Sequence, residues 1–302
     1  MSRRKNKGRA LNGLLLFDKP AGESSNLVLQ KVKRIFNAAK AGHTGTLDPL
    51  ATGLLVICFG RTTKISDYLL AVDKQYRVVL KLGVTTDSAD ADGVILEQRD
   101  ASKVTKNQIL QHAASLTGSI EQIPPMYSAL KYQGSRLYEL ARKGIEVERA
   151  PRKVEIHNFE LIEQQQDLVT MQVHCSKGTY IRTLVEDLGK LLLCGAHVVE
   201  LRRTSLGPFT DPKMYCLEEL EQFSERGFPD LDQTLLPTDH ALQDWPAISI
   251  GEDQMVDIRN GHAMRLANLP AQGLVRIYEA NQQFYGIGTI REDGRMAPKP
   301  LY

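Results

Sequence analysis

The chain has 302 residues, of which 42% are hydrophobic and 25% charged, with 38 basic against 36 acidic side chains and a formal net charge of +2. This composition excludes a collagenous, low-complexity or disordered protein and supplies enough apolar surface for a large domain plus a small one. The longest apolar runs, Leu14 to Phe17 and Leu54 to Phe59, are too short to span a bilayer, and four widely spaced cysteines (Cys58, Cys175, Cys194, Cys216) read as reduced thiols.

Basic residues Arg3, Arg4, Lys5, Lys7 and Arg9 precede the first apolar run, but Asp18 and Lys19 cut it off without a small-residue cleavage site. A secretory signal is therefore not expected, and a cytoplasmic location is. Gly13 to Asp18 reads as a short buried strand. Ser24 or Ser25 caps a helix reaching about Ala39, with Val28, Val32, Ile35, Phe36 and Ala39 on one face. A loop bounded by Gly42, Gly45, Pro49 and Gly53 leads into a buried strand over Leu54 to Phe59. Gln75 to Leu82 alternates, placing Tyr76, Val78, Leu80 and Leu82 on one face of a strand.

Further along, Thr105 and Gln108 form a capping box for a helix carrying Ile109, Leu110, Ala113 and Leu116. Residues 124–152 combine prolines, tyrosines and basic side chains, as an inserted loop-and-helix arm would. Leu168 to Cys175 reads as a strand, and the turn SKG opens a helix from about Tyr180 to Leu193. Leu217 to Arg226 forms an acidic helix. After Trp245–Pro246 come a short helix (Asp253 to Arg259) and two strands (Leu274 to Glu279, Phe284 to Ile290), a small module. Strands and helices mix without regular βαβ alternation, so the expected class is α+β with a largely antiparallel sheet.

Asp48, in GHTGTLDPLATG, is the first candidate for chemistry. The flanking glycines allow close approach of a ligand to the backbone. Pro49 disfavours helical geometry at Asp48, and Thr44, Thr46 and Thr52 offer hydroxyl donors to its carboxylate. The same residues also read as a simple Asp-Pro turn. His43 shares the loop and suits acid–base work or a plain surface position. Tyr76 suits core packing or stacking on a base. Arg182 opposes the dipole at a helix start and therefore answers a carboxylate or phosphate elsewhere. His174–Cys175 and Cys194-x-x-His197 resemble halves of a zinc site, but adjacent strand residues point to opposite faces. The run DSADADG lacks the glutamate of a calcium loop and reads as a solvated turn. Basic clusters at Lys31–Lys33–Arg34, Arg142–Lys143, Arg149–Arg152–Lys153 and Arg202–Arg203 suggest a phosphate-binding surface.

Together, GLLLFDKPAGESS, AGHTGTLDPLATGLLVICFGRTTK, KQYRVVLKLG, TDSADADG, QIPPMYSALKYQGSRLYELARKG, SKGTYIRTLVEDLG and GAHVVELRRTSLGPF resemble the TruB family of tRNA pseudouridine synthases, in family order from residue 12 to about 209. The resemblance implies a pseudouridine synthase sheet in residues 1–245, with residues 124–152 as the arm over the T stem-loop. It implies a PUA-like β-rich module in residues 246–302. The implied activity isomerises uridine at position 55 of tRNA, on a monomeric chain, with no cofactor and no metal.

By the same resemblance Asp48 is the catalytic carboxylate, Tyr76 stacks on the base and Arg182 pairs with Asp48. His43 contacts the RNA, Tyr180 the substrate, Leu201 walls the uracil pocket, and Lys19 and Pro20 support the loop. Arg182 is then expected to lower the pKa of Asp48 by about 1–3 units and keep it ionised. An RNA-binding or RNA-folding protein and a zinc hydrolase are the alternative readings.

Overall fold

Buried strands form where the sequence supplies continuous or alternating apolar residues. The computed structural model describes residues 8–266, 269–270 and 272–301; Arg3, Arg4, Lys5 and Lys7 lie outside them. Strand β1 (Gly13–Lys19) is followed by α1 (Ser25–Ile35), whose N-cap Ser24 accepts from the Leu27 amide. The helix ends four residues before Ala39, because Asn37 adopts a left-handed conformation (φ 46°). Phe36 and Ala38 still bury their side chains beyond its end. Short β2 (Ala41–His43) and the loop carrying Asp48 lead into β3 (Thr52–Phe59), then α2 (Ser66–Leu70) and β4 (Lys74–Leu82). Alternation in β4 sends Tyr76, Val78, Leu80 and Leu82 inward.

A small hairpin follows, β5 (Val84–Thr86) with β6 (Ile95–Gln98), then α3 (Lys106–Ser115) behind its Thr105–Gln108 capping box, and β7 (Gly118–Gln122). Ile109 and Ala113 of α3 are buried, whereas Leu110 is exposed. The arm carries a second hairpin, β8 (Lys131–Tyr132) with β9 (Ser135–Arg136), and the single turn α4 (Leu137–Ala141). Two long strands were not foreseen, β10 (Arg152–Gln165) before β11 (Leu168–Cys175), and β12 (Ala196–Leu206) after α5 (Ile181–Leu191). Short β13 (Phe209–Thr210), α6 (Leu217–Arg226) and α7 (Phe228–Asp232) complete this part.

The central sheet runs β1-β3-β12-β4-β11-β10-β7, with β2 on β3 and β13 on β12. All its pairs are antiparallel except β12 with β3, so the sheet is mixed and largely antiparallel. Its front face holds the main core, where Leu15, Phe17, Ile57, Val78, Leu80 and Met171 pack with Val32 of α1 and Leu184, Val185 and Leu188 of α5. Behind β1 and β3, Leu14, Leu16, Leu54, Val56 and Cys58 are covered in part by Ile287 and Leu301 from the C-terminal residues. Those residues form a second sheet, β14 (Ala247–Ile250), β15 (Gly273–Glu279), β16 (Phe284–Ile290) and β17 (Met296–Pro300), with α8 (Glu252–Arg259) against its own small core. No helix among the described residues is long and apolar enough to cross a membrane.

The parallel junction of β3 and β12 immediately follows the Asp48 loop, with Gly53 paired to Arg203. Gly53 has φ 93°, and a Cβ there would lie 2.4 Å from the Arg203 carbonyl. Gly53→Ala is therefore expected to destabilise the fold by about 3 kcal/mol through left-handed strain and overpacking, as measured by urea unfolding.

Candidate active site

The loop between β2 and β3 is held by hydrogen bonds on both sides of Asp48. Before it, the Ser25 hydroxyl at the start of α1 accepts from the Leu47 amide (2.8 Å) and donates to the Leu47 carbonyl (2.9 Å). After it, the Lys19 ammonium at the end of β1 donates to the carbonyls of Pro20 (2.7 Å), Pro49 (3.1 Å) and Ala51 (2.7 Å). Lys19 is fully buried. Burial pulls its pKa down to about 8, while the charges of Asp48 and Glu23 pull it back up. Two of the expected threonine donors do not serve the carboxylate. Thr52 donates to the Leu201 carbonyl (3.4 Å), and the Thr44 hydroxyl is buried without a hydrogen-bond partner.

Arg182, the second residue of α5, projects into the loop and is buried. Its Nη2 donates to Asp48 Oδ1 (3.1 Å) and to the Tyr127 carbonyl (2.6 Å), and Nη1 donates to the Ser88 carbonyl (2.9 Å). Nε lies 2.9 Å from Asp48 Oδ2, and Nη1 lies 3.3 Å from Asp90 Oδ2. Its unfavourable place at the helix start is thus compensated by two carboxylates. The run DSADADG is not a solvated turn. Asp90 is buried, its carboxylate accepts from the Ser88 hydroxyl (2.5 Å), and its neighbours bridge to Val198 of β12. The sequence offered Asp90 only within a calcium-like run with Asp87 and Asp92, read as a solvated turn, and gave it no place beside Arg182.

The expected lowering of the Asp48 pKa is reversed. Burial pushes the carboxyl above its ordinary value, Arg182 opposes that rise, and Asp90 adds to it. A guanidinium shared between two carboxylates cannot fully compensate the desolvation of one.

Around this pair stand the other expected residues. Tyr76 on β4 is buried, which raises its pKa, while Arg203 beside its hydroxyl pulls the other way. Leu201 lines β12 two strands' width from β11 and is buried. Tyr180 is the N-cap of α5, and its backbone amide and carbonyl are both held by the Gln122 side chain (3.0 and 3.3 Å). His43 is kept toward its neutral form by burial and by Arg203. The pair Arg202–Arg203 is not a phosphate patch. Arg202 makes a two-point pair with Asp18 (2.9 and 2.7 Å), and fully buried Arg203 donates to the carbonyls of Leu54 (2.7 Å) and Gly45 (3.2 Å). His43 Nδ1 and Thr44 Oγ1 are buried without hydrogen-bond partners. Such atoms are rare in folded proteins, and these two sit in adjacent residues just ahead of Asp48.

Comparisons with known proteins agree on the family. Residues 33–181 match the TruB family pseudouridylate synthase (N terminal domain), residues 182–243 the tRNA pseudouridylate synthase B C-terminal domain, and residues 246–301 the C-terminal region of pseudouridine synthase II TruB. The tRNA pseudouridine synthase B of Nitrosococcus oceani is 49% identical, over 99% of this chain and 97% of its own. That of Escherichia coli strain K12 is 48% identical, over 100% and 98%. Among solved structures, a chain of a Cbf5-Nop10-Gar1 complex superposes with a TM-score of 0.74 at 25% identity, covering 96% of this chain and 85% of that one.

Among the described residues, Arg182 is the only cation paired with both Asp48 and Asp90. Replacing it as Arg182→Met leaves buried Asp90 and half-buried Asp48 without their shared cation and is expected to lower unfolding free energy by about 3 kcal/mol at neutral pH. Denaturant titration of the variant against the native chain checks this.

Proposed function

Because the chain belongs to the TruB family of pseudouridylate synthases, we propose that it isomerises uridine to pseudouridine at position 55 in the T loop of tRNA, with Asp48 as the nucleophile. The observation that carries this reading is an asymmetry within one ion pair. Arg182 is 4% exposed, whereas the Asp48 side chain keeps 35% of its surface open. The carboxylate is held in place from behind and reachable from in front.

The isomerisation breaks the N1–C1′ bond of uridine, turns the uracil and rejoins it through C5. The C5 proton leaves, N1 gains one, and no other atom enters or departs. Neither a redox group nor a cofactor is needed for that balance. Carboxylates attack or stabilise an anomeric carbon in glycosidases, and Asp48 supplies that group here. Tyr76 stacks on the uracil, Leu201 forms the apolar wall beside it, and Tyr180 contacts the nucleotide. The uridine leaves the folded loop at a cost of a few kcal/mol, and uncharged His43 occupies the space it vacates. Lys19, with Pro20, positions the loop.

The arm, residues 124–152, grips the T stem-loop through its exposed Lys131, Arg136, Arg142 and Lys143. Its root is fastened to the site by the Arg182 bond to the Tyr127 carbonyl. Residues 246–302 act as a PUA-like RNA-contacting module beside the catalytic residues 1–245, all on a single chain.

Asp48→Asn keeps the shape of the side chain and removes its charge. It is expected to abolish product on unmodified tRNA, assayed without added metal or cofactor, while tRNA binding persists; turnover in that variant would sink the assignment. The pH dependence follows from the raised pKa of Asp48. Attack requires the ionised form, so kcat/KM is full above that raised value and falls as the pH drops through it. The acid limb should therefore lie above the ordinary carboxyl value of 3.8, and a limb at or below it would contradict the reading.

A further inference from the structure

On the back face of the central sheet, away from the C-terminal sheet that covers β1 and β3, three side chains from three chain segments converge. Asp73 ends the turn before β4, His157 lies on β10 and His174 on β11. One carboxylate oxygen, Asp73 Oδ2, faces both imidazoles, at 3.1 Å from His157 Nε2 and 4.0 Å from His174 Nε2. The two rings lie 4.6 Å apart, tilted by 49°. One ligand atom from each of the three residues falls within 4.8 Å of the other two.

The backbone explains how they meet. Residues Ile156 and Asn158 pair with Cys175 and His174, and the register shifts between them, leaving His157 as an extra residue in β10. A bulge of this kind turns a side chain that regular alternation would direct elsewhere. Here it brings His157 beside His174 on the open face, while Cys175 points into the core. The sequence had offered Cys175, Cys194 and His197 as partners for His174. Among these, His197 Nδ1 instead lies 3.0 Å from the Val84 carbonyl.

We propose that Asp73, His157 and His174 form a binding site for a borderline divalent cation of the zinc class, separate from the catalytic residues. Two imidazole nitrogens and one carboxylate oxygen are the donor set such cations prefer, and hard cations such as Mg2+ do not. Donor atoms around tetrahedral Zn2+ lie roughly 3.3 Å apart, so the 3.1 Å separation already fits and the 4.0 Å one closes with a small ring movement. All three side chains are between a third and a half exposed, which leaves the remaining coordination positions to water. The ion would tie β10 and β11 to the root of β4, three residues before Tyr76, and so acts as a structural clip that exists only in the folded chain. The proposal does not depend on the reaction assigned to Asp48.

The full chain, freed of metal by chelation and dialysis, is titrated with ZnCl2 by calorimetry and by thermal unfolding. One Zn2+ per chain and a higher Tm are expected, with affinity reduced at least about tenfold in His157→Asn and His174→Asn. Magnesium should give neither effect. The native chain alone provides a second reading, since one equivalent of Cu2+ should show an electron paramagnetic resonance spectrum with coupling to two imidazole nitrogens. Absence of stoichiometric Zn2+ binding to the native chain, or equal binding by a chain carrying both His157→Asn and His174→Asn, would overturn the proposal, as would a Cu2+ spectrum without nitrogen coupling.

Discussion

The Arg182 guanidinium is the contact on which the site depends. It draws together the Asp48 loop, the acidic block around Ser88 and Asp90, the root of the arm at Tyr127 and the start of α5. No two of these are neighbours in sequence, so a single planar cation fixes the relative position of four otherwise independent segments. Its directional donors suit it to that task in a way that a lysine would not. Around it the charges nearly balance, with Asp48 and Asp90 on one side and Arg182 and buried Lys19 on the other.

That balance is deliberately imperfect at Asp48. A carboxylate fully satisfied by its surroundings would be a poor nucleophile, and one wholly uncompensated would be protonated. Burial raises the Asp48 pKa while Arg182 restrains it, which leaves a charged group of higher energy than a solvent-exposed one. Strain of this electrostatic kind is sustainable because the loop cannot relax. Ser25 fixes the backbone before Asp48, and Lys19 fixes it after.

Much of this was legible in the residues. Strand β4 alternates without interruption, β1 and β3 are continuous apolar runs, and the Thr105–Gln108 box is a local device, so each could be read from a short window. Strands β10 and β12 could not. Each contains two register shifts, between Ile156 and Asn158 and between Leu161 and Glu163 in β10, and at Val198/Glu200 and Arg203/Ser205 in β12. These break the period-two pattern on which recognition of a strand relies. The loop at Asp48 stood out because proline and glycines concentrate there, and Arg182 because it violated a helix rule. Asp90 and Arg203 were missed for the opposite reason. Local reading places charged residues on the surface, and only a partner far along the chain or a set of carbonyls makes their burial tolerable.

The hydrogen bonds that brace the loop have one property in common. Lys19 donates to the carbonyls of Pro20, Pro49 and Ala51, Arg203 to those of Leu54 and Gly45, Arg182 to those of Ser88 and Tyr127, and Ser25 binds the peptide groups of Leu47. A peptide carbonyl is present whatever the side chain. The acceptor positions are therefore chemically anonymous in these bonds, while the four donors are not interchangeable with anything of different reach or charge. Side chains at the acceptor positions can therefore change without removing a brace, provided the backbone keeps its path, whereas a change at any of the four donors takes its brace away.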